Sequence, residues 1–362
     1  MKCKSRNIVY ISSIAWNYTW HRQQELMSIL SKNSFNILFV QPVEKKRLIN
    51  SNLTRINNTL WILSVSGLPY ERCLYSVDFI NGKISYKAIE KAINKIGFDD
   101  YIVWFDRIHG CDVKKFLKKH YVIYDLIDEI LAFGRIKNKN LLLKKENKIL
   151  KECELLISSS NSLMKRKIHQ ANRIGENIFL PNGVDCKRFV SSNRNINRDR
   201  IIVGFIGTIS QRALNFTLIK KIAKLKPEWK YVFVGPGKSE DKKILDDKNI
   251  QVYNAVNGHE IPGIIEKFDV GIIPYNVETE EMDYVFPRKA CEYLAAGKPV
   301  VSTTLKEIKI LKPYVRTADI AEEFVQEIEN ALFENISNKQ RIEFVKKFDW
   351  IYLTEMLIKK IT

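Results

Sequence analysis

The sequence lacks three features that would each indicate a particular class of protein: closely spaced cysteines, an Asp-x-Asp pair and a long apolar run. Its six cysteines never approach the C-x-x-C spacing, which argues against a zinc knuckle or a dithiol redox site and predicts reduced thiols in a cytosol. No Asp-x-Asp pair occurs in the chain. The longest apolar run near the start, residues 8–16, is interrupted by Ser12 and Ser13 and is too short for a membrane span. Since it has no small-residue cleavage site, we expect no export.

The length of the chain predicts two domains. Its 362 residues exceed the roughly 250–300 residues at which a single core stops growing. Hydrophobic residues make up 45% and charged residues 28% of the sequence, which is ordinary for a globular protein and excludes the disordered and collagen-like classes. Each half is therefore long enough to bury a core without a metal or a disulfide.

The basic excess is concentrated in the first half. The formal net charge is +18, from 59 basic and 41 acidic residues. Up to Leu180 there are 30 basic and 16 acidic residues, whereas beyond it there are 29 and 25. This asymmetry indicates a polyanionic partner, either nucleic acid or an anionic membrane surface. A lysine-rich composition spread over solvated helix faces explains it equally well.

Short apolar runs alternate with segments of helical period, which predicts parallel sheets covered by helices. The predicted strands are residues 8–14, 36–40, 101–105, 122–126, 155–158, 201–206, 231–234 and 270–273. The predicted helices are residues 22–30, 86–96, 113–119, 141–151, 162–170 and 214–225. Residues 42–82 are less regular, and no pattern is assigned to them.

A turn-rich polar passage near residues 181–195 divides the chain and is typical of a linker. We predict an α/β fold with two doubly wound Rossmann-like domains at residues 1–183 and 201–346, joined by a linker at 184–200. An amphipathic helix at 347–362 either packs on the first domain or caps the second. Ligands of open α/β sheets bind beyond the carboxyl ends of the strands, so we expect the site in the cleft between the domains.

A glycine turn follows the first strand of the second half. Gly207 permits close approach of the backbone to a phosphate, Thr208 follows it, and Arg212 offers a positive charge. Any strand-to-helix turn in this fold class can use such a glycine for steric reasons. One glycine stands where the dinucleotide fingerprint requires three, which argues against a nicotinamide dehydrogenase.

A second motif begins at Pro287, which suits the first turn of a helix, and ends at Gly297, which suits its stop. Within this helix Glu292 lies four residues after Arg288. The simplest interpretation is an ion pair worth a few tenths of a kcal/mol. Alternatively, Glu292 accepts hydrogen bonds from a ribose diol, while Arg288 and Lys289 meet phosphate near the positive end of the helix.

These motifs resemble the donor site of GT-B glycosyltransferases that use nucleotide sugars. The resemblance is carried by residues 287–289 with 292–301, 180–185 with Phe189, 206–208, and 268–275. It implies the GT-B fold, with a crossover helix at the C-terminus and no cofactor beyond the nucleotide sugar, most simply a UDP-sugar. The resemblance also implies which residues bind the nucleotide-sugar donor: Gly207, Thr208, Arg212, Tyr284, Arg288, Lys289 and Glu292.

The first half is similar, less specifically, to the bacterial branch that includes teichuronic acid glycosyltransferases of the TuaH type and the xanthan glucuronosyltransferase. The residues concerned are Trp16, 20–24, 124–129 and 160–163. Retaining members carry a glutamate eight positions before the ribose glutamate, where this chain has Tyr284. The neighbouring carboxylates could replace that glutamate only if the loop bends suitably; they are Glu280, Glu281 and Asp283. The missing glutamate favours a mechanism that inverts the configuration of the anomeric carbon.

An inverting transferase needs a base that takes the proton of the acceptor hydroxyl. Asp128 and Asp125 follow the strand at 122–126, although an aspartate after a strand is often only a helix cap. His21 is a third candidate because its ordinary pKa is near neutrality, although packing of the first helix with its tryptophan neighbours explains this residue equally well. Asp106, His109 and Asp112 have a conceivable metal-binding spacing, but we expect no metal.

The sequence thus predicts a cytoplasmic glycosyltransferase of cell-surface polysaccharide synthesis, peripheral on the inner membrane face. Its expected partners are a nucleotide-sugar donor, a glycan or lipid-linked acceptor, and anionic lipid. A nucleotide-sugar epimerase of GT-B architecture and a catalytically dead homologue are alternatives. A basic nucleic-acid-binding protein is another, but no zinc-finger spacing or RNP string supports it.

Overall fold

The computed structural model describes residues 5–18, 20–45, 50–69, 75–106, 108, 115–116, 120–129, 139–189 and 200–362. The chain divides into two units. Unit 1 comprises Met1–Pro181 with Leu353–Thr362, and unit 2 comprises Asn182–Tyr352. Most of the predicted linker and most of the helix predicted at 113–119 lie outside the described residues.

The described part of unit 1 contains a nine-stranded sheet. Its strands are β1 (Asn7–Ile11), β2 (Asn36–Val40), β3 (Glu44–Lys45), β4 (Ser51–Arg55), β5 (Leu60–Gly67), β6 (Ile102–Phe105), β7 (Val122–Leu126), β8 (Leu155–Ser158) and β9 (Glu176–Phe179). The order is β3-β5-β2-β1-β6-β7-β8-β9, and all these pairs are parallel. Strand β4 pairs with β5 in antiparallel register.

The helices of unit 1 cover this sheet. They are α1 (Arg22–Lys32), α2 (Tyr75–Ile96), α3 (Lys139–Glu152) and α4 (Asn161–Ala171), joined by the part of α11 (Trp350–Ile361) that begins at Leu353. Every residue of β6, β7 and β8 is buried, as expected for a parallel sheet with helices on both faces. Polar side chains therefore become accessible where the strands end.

Unit 2 contains a six-stranded parallel sheet in its described residues, with the order β12-β11-β10-β13-β14-β15. The strands are β10 (Ile202–Ile206), β11 (Lys230–Val234), β12 (Ile250–Tyr253), β13 (Val270–Ile273), β14 (Val300–Ser302) and β15 (Val315–Thr317). The helices are α5 (Phe216–Leu225), α6 (Ser239–Leu245), α7 (Ile261–Glu266), α8 (Arg288–Ala295), α9 (Ala321–Phe333) and α10 (Asn338–Val345).

Short 3-10 helices occupy Cys186–Phe189, Gly258–Glu260, Glu280–Tyr284, Lys306–Leu311 and Lys346–Phe348. The core of unit 2 lies between β10, β11 and β13 and the helices α5 and α9, and includes Phe205, Phe233 and Phe324. The predicted α/β class with two parallel-sheet, Rossmann-like domains is confirmed. None of the helices in the described ranges is both long enough and apolar enough to cross a bilayer.

Candidate active site

Helix α8 carries a buried, ionised carboxylate. Glu292 is 2% exposed, and its two oxygens accept hydrogen bonds from Arg288 Nε at 3.0 Å and Lys289 Nζ at 2.9 Å. Burial raises the pKa of Glu292, but the two cations and their hydrogen bonds outweigh burial, so the pKa lies below its ordinary value. The ion pair expected from the sequence is present, and the carboxylate stays charged at neutral pH.

Tyr293 fixes α8 to the end of β10. Its buried hydroxyl accepts a hydrogen bond from the backbone N–H of Ile206 at 2.9 Å. A Cβ atom on Gly271 would lie 2.4 Å from the Tyr293 ring, so the helix approaches β13 only because that residue is glycine. No local pattern predicts a role for this hydroxyl, because its partner is 87 positions away in the chain. Glu292 is thereby held near the carboxyl end of the sheet.

The glycine turn after β10 packs backbone against backbone on the turn after β11. The N–H of Gly207 donates to the carbonyl of Val234 at 3.0 Å. A Cβ atom on Gly235 would lie only 1.8 Å from the Gly207 carbonyl oxygen, so no side chain fits there. Thr208 and Arg212 lie on the same loop and are exposed. The backbone of the Gly207 turn is therefore held by its packing on the Gly235 turn.

Tyr275, just beyond β13, belongs to the same end of the unit 2 sheet. Burial and the charge of Glu292 raise the pKa of Tyr275 to about 12. The N–H of Asn215 donates to the carbonyl of Pro274 at 2.9 Å, which joins the β13 end to the start of α5. The ends of β10, β11 and β13 and the helix α8 therefore meet in one region of unit 2.

Tyr284 ends the 3-10 helix that precedes α8 and is half-buried. Of the nearby carboxylates considered as substitutes, Asp283 forms an ion pair with Lys306 at 2.7 Å. The donor residues predicted from the sequence thus all lie in unit 2. Glu292, Arg288 and Lys289 are in direct contact.

In unit 1, Asp125 forms a buried, two-pronged ion pair with Arg22. Arg22 Nε and Nη2 each donate to one carboxylate oxygen at 3.1 Å, and Asp125 is fully buried. Arg22 Nη1 also donates to the carbonyls of Leu180 at 2.8 Å and Pro181 at 3.1 Å. Both oxygens of Asp125 are engaged, so this carboxylate ties β7 to α1, and Arg22 links both to the residues that follow β9.

Asp128 lies two residues beyond β7 and is exposed. Desolvation by neighbouring atoms nevertheless raises the pKa of Asp128 above its ordinary value. The next residue, Glu129, accepts from buried Lys167 at 2.8 Å, and Lys167 also donates to Glu146 at 2.7 Å. This network anchors Glu129 to α3 and α4, and Asp128 lies at the surface beside it.

His21 is the N-cap residue of α1. Its backbone N–H donates to Gln24 Oε1 at 3.0 Å, and its ring stacks on Tyr18 with a centroid distance of 6.2 Å. His21 directly precedes Arg22 in the chain. Of the three predicted base candidates, Asp125 is therefore a member of the ion pair with Arg22, and His21 is next to it.

The sequence analysis gave no catalytic role to Asp106, which follows β6. Its carboxylate accepts from the Ser13 N–H at 2.6 Å, the Ser13 hydroxyl at 3.0 Å and Gln23 Nε2 at 2.5 Å. Burial, together with the charge of nearby Asp125, raises the pKa of Asp106 to about 6 despite these hydrogen bonds. The partners are more than eighty positions away, so no local pattern signals them.

Of the three residues with a metal-binding spacing in the sequence, His109 and Asp112 lie outside the described residues. Within the ranges that the structure describes, no group of three or more His, Cys, Asp or Glu side chains is placed to hold a metal ion.

Comparisons with known sequences point to one family. Residues 200–334 match the family described as glycosyl transferases group 1. The chain is also 31% identical over 264 residues to TuaH of Bacillus subtilis (strain 168), a glycosyltransferase assigned to teichuronic acid biosynthesis. That match covers 66% of this chain and 66% of the relative, just under two thirds of its length.

Solved structures share the fold over nearly the whole chain. The sucrose-phosphate synthase of Thermosynechococcus elongatus is 13% identical, with a TM-score of 0.75 and 98% of each chain covered. HepE of Anabaena, solved with UDP and glucose, is 13% identical, with a TM-score of 0.67 and 98% of each chain covered. A trehalose-6-phosphate synthase, studied for glycosyl transfer with retention, is 12% identical, with a TM-score of 0.67 and 99% of each chain covered.

Proposed function

Because residues 200–334 match the glycosyl transferases group 1 family and the chain shares the fold of solved sugar-transferring synthases, we propose that it is a GT-B glycosyltransferase that transfers a sugar from a nucleoside diphosphate sugar to a hydroxyl group. The proposed donor is a UDP-sugar, and the proposed acceptor is a glycan or lipid-linked glycan of cell-surface polysaccharide synthesis. Similarity to TuaH supports the acceptor class, and HepE with bound UDP is a precedent for the nucleotide on this fold.

The donor side of the proposal rests on one observation, the buried and ionised Glu292 on a helix tied to the end of β10. A carboxylate in this setting accepts hydrogen bonds from the two hydroxyls of a ribose. Arg288 and Lys289 then lie within reach of the diphosphate, together with the backbone of Gly207 and Thr208 and the charge of Arg212. These groups would stabilise the negative charge that develops on the leaving nucleoside diphosphate.

For the acceptor side we propose Asp128 as the general base. Asp125 has both oxygens engaged by Arg22, and His21 caps α1, whereas Asp128 is exposed on an anchored loop. Its raised pKa brings its basicity closer to neutral pH, which favours proton transfer. Asp128 takes the proton of the acceptor hydroxyl as that oxygen bonds to the anomeric carbon, and the bond from this carbon to the diphosphate breaks.

We further propose inversion at the anomeric carbon without a metal ion. Tyr284 stands where the resemblance implies a glutamate in retaining members, and basic side chains surround the proposed diphosphate position. The trehalose-6-phosphate synthase shares the fold alone, so its stereochemistry does not transfer to this chain. A cytoplasmic, peripheral membrane location suits a lipid-linked acceptor and the basic first half of the chain.

The first test is a thermal-shift screen against UDP, GDP, ADP and CMP, with and without EDTA. A ligand present at a hundred times its Kd stabilises the native state by about 2.7 kcal/mol. We expect one nucleoside diphosphate to raise Tm equally in both conditions. Loss of the shift in EDTA would overturn metal independence. The absence of any shift, with salt-sensitive binding of nucleic acid instead, would refute the assignment.

The second test is Asp128→Asn, with Asp99→Asn as a matched control at another exposed aspartate of unit 1. We expect the first variant to lose about 10²- to 10⁴-fold in transfer rate at unchanged donor affinity, and the control to keep its rate. Unchanged turnover in Asp128→Asn would remove Asp128 as the base. The stereochemistry of the product, read by NMR, tests inversion directly, and product formed without an acceptor would indicate an epimerase.

A further inference from the structure

Helix α2 presents a row of lysines to solvent. Lys83, Lys87, Lys91 and Lys95 follow one another at intervals of four residues, and all four are exposed. With 3.6 residues per turn, such a series stays on one side of a helix and extends over about 18 Å. We call these lysines, with Phe79 and Ile80, the α2 basic face.

The opposite side of α2 is fixed to unit 1. Ile89, Ala92 and Ile93 are buried, and Asp78 pairs with Lys145 of α3 at 3.1 Å. Asn81 binds the backbone of Leu68 through both ends of its amide. The α2 basic face is therefore held outward by a rigid support.

Folding stability does not explain the row of lysines. Like charges four residues apart destabilise a helix by a few tenths of a kcal/mol per pair. Among the described residues, none of the four lysines forms an ion pair, and Glu90 is the one acidic side chain exposed on this side of α2. Because this repulsion between lysines is not offset by ion pairs among the described residues, we infer that the lysines face an anionic partner outside the chain.

Two large apolar side chains accompany the charges. Phe79 is 48% and Ile80 41% exposed near the start of α2, and Lys83 Nζ lies 4.3 Å from the centre of the Phe79 ring. Exposed Lys115 adds another ammonium group, 4.2 Å from the Tyr86 ring. Amphipathic helices that lie on membranes combine basic residues with such apolar side chains.

We propose that the α2 basic face binds an anionic phospholipid bilayer. The lysine ammonium groups contact headgroup phosphates, and Phe79 and Ile80 enter the boundary between headgroups and acyl chains. A nucleic acid would satisfy the charges but offers no apolar phase for Ile80. The inference rests on the charge and exposure of α2 and does not depend on the proposed transfer reaction.

The test is co-sedimentation of the full chain with vesicles of phosphatidylcholine alone or mixed equally with phosphatidylglycerol. The variant replaces Lys83, Lys87, Lys91 and Lys95 by glutamine. The control makes the same change at four exposed lysines of unit 2, so its net charge is identical. These control positions are Lys221, Lys224, Lys243 and Lys248. Circular dichroism and the nucleotide thermal shift establish that each variant is folded.

We expect the wild type and the control to bind the anionic vesicles, and the α2 variant to bind them at least tenfold more weakly. None should bind phosphatidylcholine alone. Equal losses in both variants would show a general charge effect and overturn the proposal, as would no binding by the wild type. Tighter binding of duplex RNA or DNA than of vesicles, lost in the α2 variant, would make this a nucleic-acid surface instead.

A second variant, Phe79→Ser with Ile80→Ser, keeps every charge and gives an independent reading if the lysine variant does not fold. We expect its vesicle binding to fall most at high salt, where the electrostatic contribution is screened. Wild-type binding at all salt concentrations would overturn the insertion of these side chains. Because the nucleotide thermal shift is measured on the same samples, failure of the membrane surface is distinguishable from failure of the donor site.

Discussion

Replacing Glu292 by glutamine keeps the shape of the side chain but removes the negative charge that two cations surround. The carboxylate accepts from Arg288 Nε at 3.0 Å and Lys289 Nζ at 2.9 Å. In glutamine one of these oxygens becomes an amide donor that faces a cation. The variant therefore loses both the charge and one acceptor at the position proposed for the ribose.

The expected effect on binding is much larger than the effect on folding. A hydrogen bond to a charged group contributes about 1.5–3 kcal/mol, so we expect nucleotide affinity to fall about 10- to 150-fold. Arg288 is 33% and Lys289 20% exposed, so water partly replaces their lost pairing, and glutamine keeps one acceptor oxygen. The free energy of unfolding should therefore change by about 1 kcal/mol.

Calorimetric titration with UDP, or with the best nucleotide from the thermal-shift screen, measures the affinity. Glu327→Gln is the matched control, because Glu327 pairs with Arg316 at 3.0 Å elsewhere in unit 2. The control should bind nucleotide like the wild type. If Glu292→Gln also binds within twofold of the wild type, Glu292 serves only as the ion-pair partner of Arg288, and the ribose assignment fails.

Two further predictions concern stability. Tyr293→Phe leaves the buried N–H of Ile206 without its acceptor, so urea unfolding should show a loss of about 1–3 kcal/mol; exposed Tyr253→Phe is the control, and equal effects would contradict the role of the hydroxyl. The raised pKa of Asp106, about 6, means that the folded state binds this proton more tightly than the unfolded state. The unfolding free energy of the wild type relative to Asp106→Asn should therefore fall as pH rises from about 4 to about 6 and stay level above about 7; a flat difference measured by urea unfolding would contradict this pKa shift.

The strands were the most predictable part of the fold. Strands β2, β7, β8 and β13 have the predicted bounds, since each is a short, mostly apolar run that is largely buried. Helix α5 begins two residues later than predicted because Asn215 caps it, its side chain accepting from the N–H of Leu218. Strand β4 was not predicted because most of its residues are polar and exposed at an edge of the sheet.

Helix α2 shows why local signals fail when tertiary contacts override them. The sequence predicts that it begins at residue 86, and Asn81-Gly82 is a turn-forming dipeptide that locally disfavours helix. The helix instead begins at Tyr75, and Asn81 is buried within it. Its amide accepts from the Leu68 N–H at 2.8 Å and donates to the Leu68 carbonyl at 2.9 Å. A long-range contact thus compensates a residue that locally disfavours helix.

The candidate site also contains residues that local sequence predicts and residues whose contacts it does not. The helix that carries Glu292 and the residues of its ion pair follow from local spacing, since they lie within five consecutive positions. The engagement of Asp125 does not, because its partner Arg22 is 103 positions away. The same holds for Tyr293, whose hydrogen-bond partner is on another element.

The division of the chain also constrains the order in which it can fold during synthesis. Unit 2 is one continuous stretch, whereas unit 1 is completed by the ten residues Leu353–Thr362, which follow unit 2 in the chain. Leu353, Leu357 and Ile361 of α11 are buried. During synthesis, all residues of unit 2 are made before Leu353–Thr362. Unit 1 is begun earlier, but it is completed only after these residues have been made. The core of unit 1 therefore includes side chains that are synthesised after the whole of unit 2.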